Sequence, residues 1–280
     1  MTKVIDYTKS LVKIPSVSGN EKQCLDFIAS WMRDRGFKDI VVTADYAAGY
    51  KKGIDSQNAL ILTGHIDTVS EGKLEAWQNN PWEPVINDDK LHGLGVSDMK
   101  GGVAVAMAAI ESVSNPAFDT WLVVVGNEEV DGRGTAAFCK YFAKNYTYDQ
   151  TSAIILEPTD LERIEIGHRG NAFVKLSFQG QAGHGSQQDS FEVSALGKAT
   201  KFLADVAKIA ESLTEKFKDP VLGNPSIVPT GIRAGSPESP NKTSDSTDIV
   251  VDIRTTPTLD DTLNIQLDQL GKEYVLLGKK

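Results

Sequence analysis

The chain has 280 residues, enough for two ordinary domains or one large one. Hydrophobic residues make up 40% and charged ones 24%, a soluble globular balance, and 29 Lys plus Arg against 38 Asp plus Glu leave a formal net charge of −9. That sign argues against nucleic-acid or anionic-membrane binding, which needs basic patches.

The N-terminal stretch MTKVIDYTKSLVKIPSVSGNE alternates charge with short apolar pairs and lacks the apolar core of a signal peptide. VIDYTKSLVKI has helical spacing and stops at Pro15. In SGNEKQCLDFIASWMRDRGF a capping signal at Ser18 or Asn20 precedes a second helix, with Cys24, Phe27, Ile28 and Trp31 on one face and Gly36 closing it. IVV at 40–42 is a short strand and ALILTGH at 59–65 a continuous apolar one. KGGVAVAMAAIESV is a small-residue helix suited to close packing on a sheet, and its apolar part (103–110) is far too short to cross a membrane. TWLVVVG, GTAAFCKYFAKNY and SAIILEP then read as strand, helix and strand. Continuous apolar strands interleaved with helices predict an α/β domain with a mainly parallel sheet covered on both faces. The two cysteines, Cys24 and Cys139, lie in helical segments and read as buried small hydrophobes rather than a disulfide or a reactive thiol.

Near residue 171 the pattern changes. NAFVKLSFQGQ alternates strictly, with Val174, Leu176 and Phe178 on one face and Lys175, Ser177 and Gln179 on a wet one. A long amphipathic helix follows, carrying Leu196, Ala199, Phe202, Leu203, Val206, Ile209, Leu213 and Phe217. Next come two strand candidates, SIVPTGIRA and TDIVVDIR, and a helix around LDDTLNIQLDQL; AGSPESPNKTSDS between the strands is an exposed loop. This order predicts a smaller α+β domain over 171–280, with helices on one face of an antiparallel sheet, beside an α/β domain over 1–170.

Ligands of open parallel sheets bind beyond the carboxyl ends of the strands. At that edge ALILTGHID ends in His65 and Asp67, WLVVVGNEE in Glu128 and Glu129, and AIILEPT in Glu157, while GLGVSDMKGG presents Asp98 just before a helix. A lone histidine after a strand is ordinarily structural, and paired glutamates are ordinarily solvated. Several acids converging on one imidazole would repel one another without a cation, and one or two divalent metals would remove that cost. A phosphate loop is a poor alternative, because neither glycine-rich segment fits a phosphate-binding pattern and acids crowd both.

GHIDTV, GVSDMKGG, GNEEVDGRGT, LEPT, IGHRG and AGHGS stand in the order found in a family of co-catalytic zinc hydrolases that includes aminoacylase, carboxypeptidase G, acetylornithine deacetylase and succinyl-diaminopimelate desuccinylase. The chain resembles that family from its N-terminus to about residue 257. The resemblance implies a zinc-peptidase-like catalytic domain and a lid or dimerisation domain, with two Zn2+ per chain and Co2+ or Mn2+ as alternatives. It implies His65 and Glu157 on one zinc, Glu129 on the other, Asp98 bridging them, and Asp67 orienting the imidazole. Glu128 would be the general base for a water attacking an amide carbonyl. His184, in AGHGS, would stabilise the oxyanion in a partner subunit's site, and Asn241 and Arg254 would contact substrate, often through its carboxylate. The bland alternatives are a glycine-flanked turn for His184 and a surface ion pair for Arg254. His92 and His168, in loops, are given no metal.

These features imply a cytoplasmic homodimer, joined through the lid, that cleaves small N-acyl amino acids in the manner of a deacetylase or desuccinylase; a dipeptidase or carboxypeptidase is the alternative. Family members return to the catalytic domain after the lid and supply a last histidine for the Glu129 zinc, whereas no histidine of this sequence lies beyond His184. The expectations are therefore a truncated hydrolase with one crippled zinc site and exposed apolar surface, an enzyme completed by other groups or another chain, or an inactive dimerisation or binding protein on the same scaffold.

Overall fold

The computed structural model describes residues 2–274, which divide between Ile164 and Glu165 into two units. The first contains, in order, α1 (Thr2–Val12), α2 (Lys22–Asp34), β1 (Lys38–Val42), β2 (Tyr46–Lys51), β3 (Asp55–His65), β4 (Val85–Asn87), β5 (Lys90–His92), α3 (Gly101–Ser112), β6 (Phe118–Val125), α4 (Arg133–Asn145) and β7 (Gln150–Ile155). The second contains β8 (Gly170–Gln179), α5 (Asp189–Val193), α6 (Ala195–Phe217), β9 (Ser226–Ala234), β10 (Ser246–Thr255) and α7 (Pro257–Tyr274).

The first unit is built on a five-stranded sheet of order β1-β2-β6-β3-β7. β3 is parallel to both β6 and β7, and β2 is antiparallel to β6 and to β1, so only β2 runs against the others. The sheet is thus mainly parallel, as the unbroken apolar runs of β3 and β6 require. β6 alternates between two cores. Leu122 and Val124 face the side on which α1, α2 and α3 pack with Leu11, Ile28, Met32 and Met107. Trp121, Val123 and Val125 face α4, where Phe138 and Tyr46 complete the other core. Chain order explains the two sides: β3-α3-β6 advances along the sheet in one direction and β6-α4-β7 in the other, and right-handed connections then fall on opposite faces. β7 is one of the two edge strands and is exposed at every position, including Ile154 and Ile155.

Two local features depart from the spacing-based expectations. β2 has the composition Tyr-Ala-Ala-Gly-Tyr-Lys, without a β-branched residue, yet Tyr46, Ala47 and Ala48 are buried where it pairs with β6. α2 begins at Lys22 with no side-chain cap, so neither Ser18 nor Asn20 performs that role.

In the second unit β10 lies between β8 and β9, antiparallel to both. Val174, Leu176 and Phe178 of β8 and Ile249, Val251 and Ile253 of β10 face α6 and α7, meeting Ala199, Phe202, Leu213, Phe217, Leu259 and Leu267 in one core. Leu203, on the same predicted helix stripe, is exposed instead. Cys24 is buried and Cys139 exposed, both as free thiols. No helix among the described residues is long and apolar enough to cross a membrane.

Candidate metal centre

β3, β6 and β7 end almost level: His65 pairs with Val125 and Thr63 with Ile155. β3 is the middle strand of the three, so the residues that follow it lie between those that follow its neighbours. His65 and Asp67 are thereby flanked by Glu128 and Glu129 on one side and by Glu157 on the other. Asp98 reaches the same edge from a single turn, Val96–Lys100, in which Asp98 and Met99 leave helical geometry. That turn is held from below by Lys100, a fully buried side chain whose ammonium donates to the carbonyls of Leu11 and Ile14. It is also held close to β7, because a Cβ on Gly102 would stand 2.3 Å from the Leu156 carbonyl oxygen, and only glycine fits.

The side chains converge. His65 Nε2 lies 3.0 Å from Asp98 Oδ1 and 3.8 Å from Glu157 Oε1. Ligand atoms of His65, Asp98 and Glu129 all lie within 4.8 Å of one another. Glu157 approaches through His65 and stands outside that mutually close set. On the far side of the ring, Nδ1 is 2.9 Å from the Asp67 carbonyl oxygen and 3.5 Å from its carboxylate Oδ1. A proton on Nδ1 donated to Asp67 leaves the Nε2 lone pair for a metal. Asp67 itself is fully buried and accepts from Ser18 Oγ and from the backbone N–H groups of Glu128 and Glu129.

The charges favour a cation. Burial opposes a charge on His65, but the hydrogen bond with Asp67 and the negative charges of Glu157, Asp67 and Glu128 outweigh it and push the imidazole up to about 9. Burial and the neighbouring Asp98 hold Glu129 above the ordinary carboxylate range, and burial followed by Asp98, Glu128 and Glu129 does the same for Glu157, in each case against the opposing pull of His65. Asp67 moves down despite burial, because His65, Ser18 and the two backbone N–H groups all favour its anion. A divalent ion among His65, Asp98, Glu129 and Glu157 would relieve that repulsion. An imidazole with several carboxylates is a donor set suited to zinc, cobalt or manganese. Among the described residues no second histidine joins the set.

Ser18, which donates to Asp67, and Glu21, which accepts from the Asn127 N–H beside Glu128, escaped detection in the sequence because SGNE carries the pattern of a helix start.

The remaining candidates lie in the second unit. His184 is exposed, with Nδ1 2.7 Å from Ser186 Oγ and 3.2 Å from the Ser186 nitrogen, whose N–H donates to it. That contact leaves the proton on Nε2. The His184 and Asn241 loops adjoin, with Gly185 N donating to the Asn241 carbonyl at 2.8 Å. Arg254 stands at the other end of β10 and pairs with Asp252 at 3.0 Å. His168 Nδ1 faces its neighbour's backbone carbonyl, and His92 closes β5 and is not among the converging ligands.

Residues 61–239 match the family model for Peptidase family M20/M25/M40. The succinyl-diaminopimelate desuccinylase of Wolbachia pipientis subsp. Culex pipiens (strain wPip) is 31% identical over 191 residues, 64% of this chain and 48% of that protein. The acetylornithine deacetylase of Pectobacterium carotovorum subsp. carotovorum (strain PC1) is 27% identical over 234 residues, 79% of this chain and 59% of that one. The alignments therefore span about half the length of these relatives. Among solved structures, an M20 family metallo-carboxypeptidase, Sso-CP2 from Sulfolobus solfataricus, shares the fold with a TM-score of 0.72 at 16% identity, covering 99% of this chain and 77% of that one.

Proposed function

The chain belongs to peptidase family M20/M25/M40, and from that premise we propose that it is a metal-dependent hydrolase of the amide bond in small N-acyl amino acids, of the deacetylase or desuccinylase type. The observation that carries this reading is the convergence of ligand atoms of His65, Asp98 and Glu129 within 4.8 Å, with Glu128 close enough to act on His65, Glu129 and Glu157 electrostatically. His65, Asp98, Glu129 and Glu157 are the side chains that would hold the metals, with His65 and Glu157 on one and Glu129 on the other. Bound there, the metals would supply Lewis acidity that lowers the pKa of the attacking water. Glu128 accepts that water's proton as the carbon–oxygen bond forms, and returns it to the amide nitrogen as the carbon–nitrogen bond breaks. Asp67 keeps the imidazole in the tautomer that presents Nε2. His184, with its proton on Nε2, donates to the oxyanion of a partner subunit's substrate across a dimer formed by the second unit, and Asn241 and Arg254 contact the substrate. Zinc is the metal we propose, with cobalt or manganese as substitutes.

The two named relatives support the acyl-amino-acid reading. The solved metallo-carboxypeptidase supports a second, peptidase reading only at the level of fold. Elemental analysis of zinc-equilibrated protein beside Asp98→Ala tests the centre, and turnover of N-acetyl and N-succinyl amino acids and of dipeptides tests the substrate. We expect bound zinc in the wild type, its loss in Asp98→Ala, and a Glu128→Gln variant that keeps zinc but loses turnover by about 10²–10⁴-fold. Turnover surviving in a zinc-loaded Glu128→Gln would remove Glu128 from the proposed role.

A further inference from the structure

The turn that follows β6 leaves the sheet ladder, yet four of its successive backbone N–H groups remain bonded. Gly126 N donates to the Asp45 carbonyl at 2.8 Å, Asn127 N to Glu21 Oε1 at 3.0 Å, Glu128 N to Asp67 Oδ1 at 3.1 Å and Glu129 N to Asp67 Oδ2 at 3.2 Å. The last three are therefore gripped by two carboxylates from outside the turn, and both are buried, Glu21 at 2% exposure and Asp67 at 0%. A single short segment carries or fastens both. Ser18 Oγ donates to Asp67 Oδ2 at 2.7 Å, and Gly19 N donates to Glu21 Oε1 at 2.8 Å. The same segment is tied to the exit of β3, where Ser16 Oγ donates to the Ile66 carbonyl and Ser18 N to that of Thr68.

We infer that Glu21 is a positioning residue for the metal centre, and that residues 16–21 form a brace fixing the exits of β3 and β6 to each other. This rests on the reading of Glu129 as a metal ligand. The turn has a local conformation that needs an external hold, since Asn127 sits at φ 58, a region open to asparagine but not favoured. Its fit to Glu21 is tight, because a Cβ on Gly126 would come within 3.0 Å of Glu21 Cγ and Cδ. One acceptor oxygen serves both N–H groups, so an amide oxygen at that position can replace the carboxylate, whereas a methyl group strands two donors and frees the turn. Glu129 would then lose its fixed distance from His65 and Asp98 while the sheet and its cores persist.

The test measures Zn2+ affinity of the whole protein by competition with a chromophoric chelator, the visible absorption of the Co2+-loaded form, and the melting temperature of the metal-free form. The variants are Glu21→Gln, Glu21→Ala and Gly126→Ala. We expect Glu21→Ala and Gly126→Ala to lose about 10–100-fold in Zn2+ affinity, the range for groups that support a metal ligand, with an altered Co2+ spectrum. Glu21→Gln should stay within about 3-fold of wild type, well inside that range. If Glu21→Ala does not fold, Gly126→Ala against Glu21→Gln decides. Wild-type affinity and spectrum in Glu21→Ala or Gly126→Ala, with only the metal-free melting temperature lowered, would make Glu21 a packing residue and overturn the inference. A wild type that binds no Zn2+ would overturn the metal-centre reading and this inference with it.

Discussion

His65 sits at the end of β3 with Asp67 against one ring nitrogen and Asp98 and Glu157 near the other. Its imidazole is pushed from 6.5 up to about 9: burial works against the charge, and the Asp67 hydrogen bond with the surrounding carboxylates overrides it. A folded-state value raised above the unfolded one stabilises the protein fully below the unfolded value, and that stabilisation is lost as pH rises through the folded value. Glu129 and Glu157, also raised, act with the same sign lower on the pH scale, and Asp67, which is lowered, acts oppositely at the acid end. Between 6.5 and about 9 His65 therefore dominates among these groups. Metal-free protein held in chelator should lose melting temperature across that window, and His65→Gln should flatten the slope. Zn2+ affinity should climb over the same range, because the ligand must be deprotonated. A flat melting profile in the metal-free wild type would contradict the electrostatic account. As candidates, His65, Asp98, Glu129 and Glu157 stand out in the sequence because each follows an apolar strand or precedes a glycine-rich helix start, and the structure brings His65, Asp98 and Glu129 together. Glu21 was not, because its effect passes through a backbone N–H 106 residues away.

Three helices on one face of the sheet are fastened by a polar cluster that no periodicity reveals. Tyr7 of α1 donates to Glu111 of α3 at 2.6 Å, Arg35 at the end of α2 donates to Glu111 at 3.1 Å and to the Tyr7 hydroxyl at 3.0 Å, and Lys3 pairs with Glu111 at 3.0 Å. The Tyr7 hydrogen bond, outweighing burial and joined by Lys3 and Arg35, brings Glu111 down to about 2. A depressed carboxylate contributes stability above its unfolded value and loses it as pH falls through the folded one, here from 4.5 toward about 2. Glu111→Gln should cost about 1–2 kcal/mol in urea unfolding at neutral pH, the lower end of hydrogen bonds to a charged group because solvent screens the partly exposed cluster. The difference from wild type should shrink as the medium is acidified through that window, and a difference that persists unchanged would point to packing instead. At this scale the long elements were legible: β3 and β6 from unbroken apolar runs, β8 and β10 from alternation, α6 from its stripe. β2 was not, because its alanines and glycine have no preference for strands and are made into one by β6 and the cores on either side. The start of α2 was misread for a related reason, since Ser18 bonds the distant Asp67 rather than the helix it precedes.

Across the whole chain, the change from unbroken to alternating strands near residue 171 marked two different ways of burying a sheet, and the structure divides at residue 164/165. Each unit has its own interior: the first has cores on both faces of its sheet, and the second has one, between its sheet and α6 with α7. His65, Asp67, Asp98, Glu128, Glu129 and Glu157 all belong to the first unit, as does the brace around Glu21. Phe202 is fully buried in the second unit and tilts against Phe178 with ring centroids 5.8 Å apart. Replacing it with alanine should remove about 3–5 kcal/mol from that core, the usual cost of a large aromatic cavity. The prediction is asymmetric. Phe202→Ala should lower the unfolding midpoint reported by the second unit, followed by hydrogen exchange of β8 and β10, and should leave Zn2+ affinity within error of wild type. Trp121→Ala, which opens a cavity of similar cost in the α4-side core of the sheet that carries the centre, should lower both. If Phe202→Ala weakened Zn2+ binding as much as Trp121→Ala, the metal centre would depend on the second unit's core, and assigning the centre to the first unit alone would be wrong.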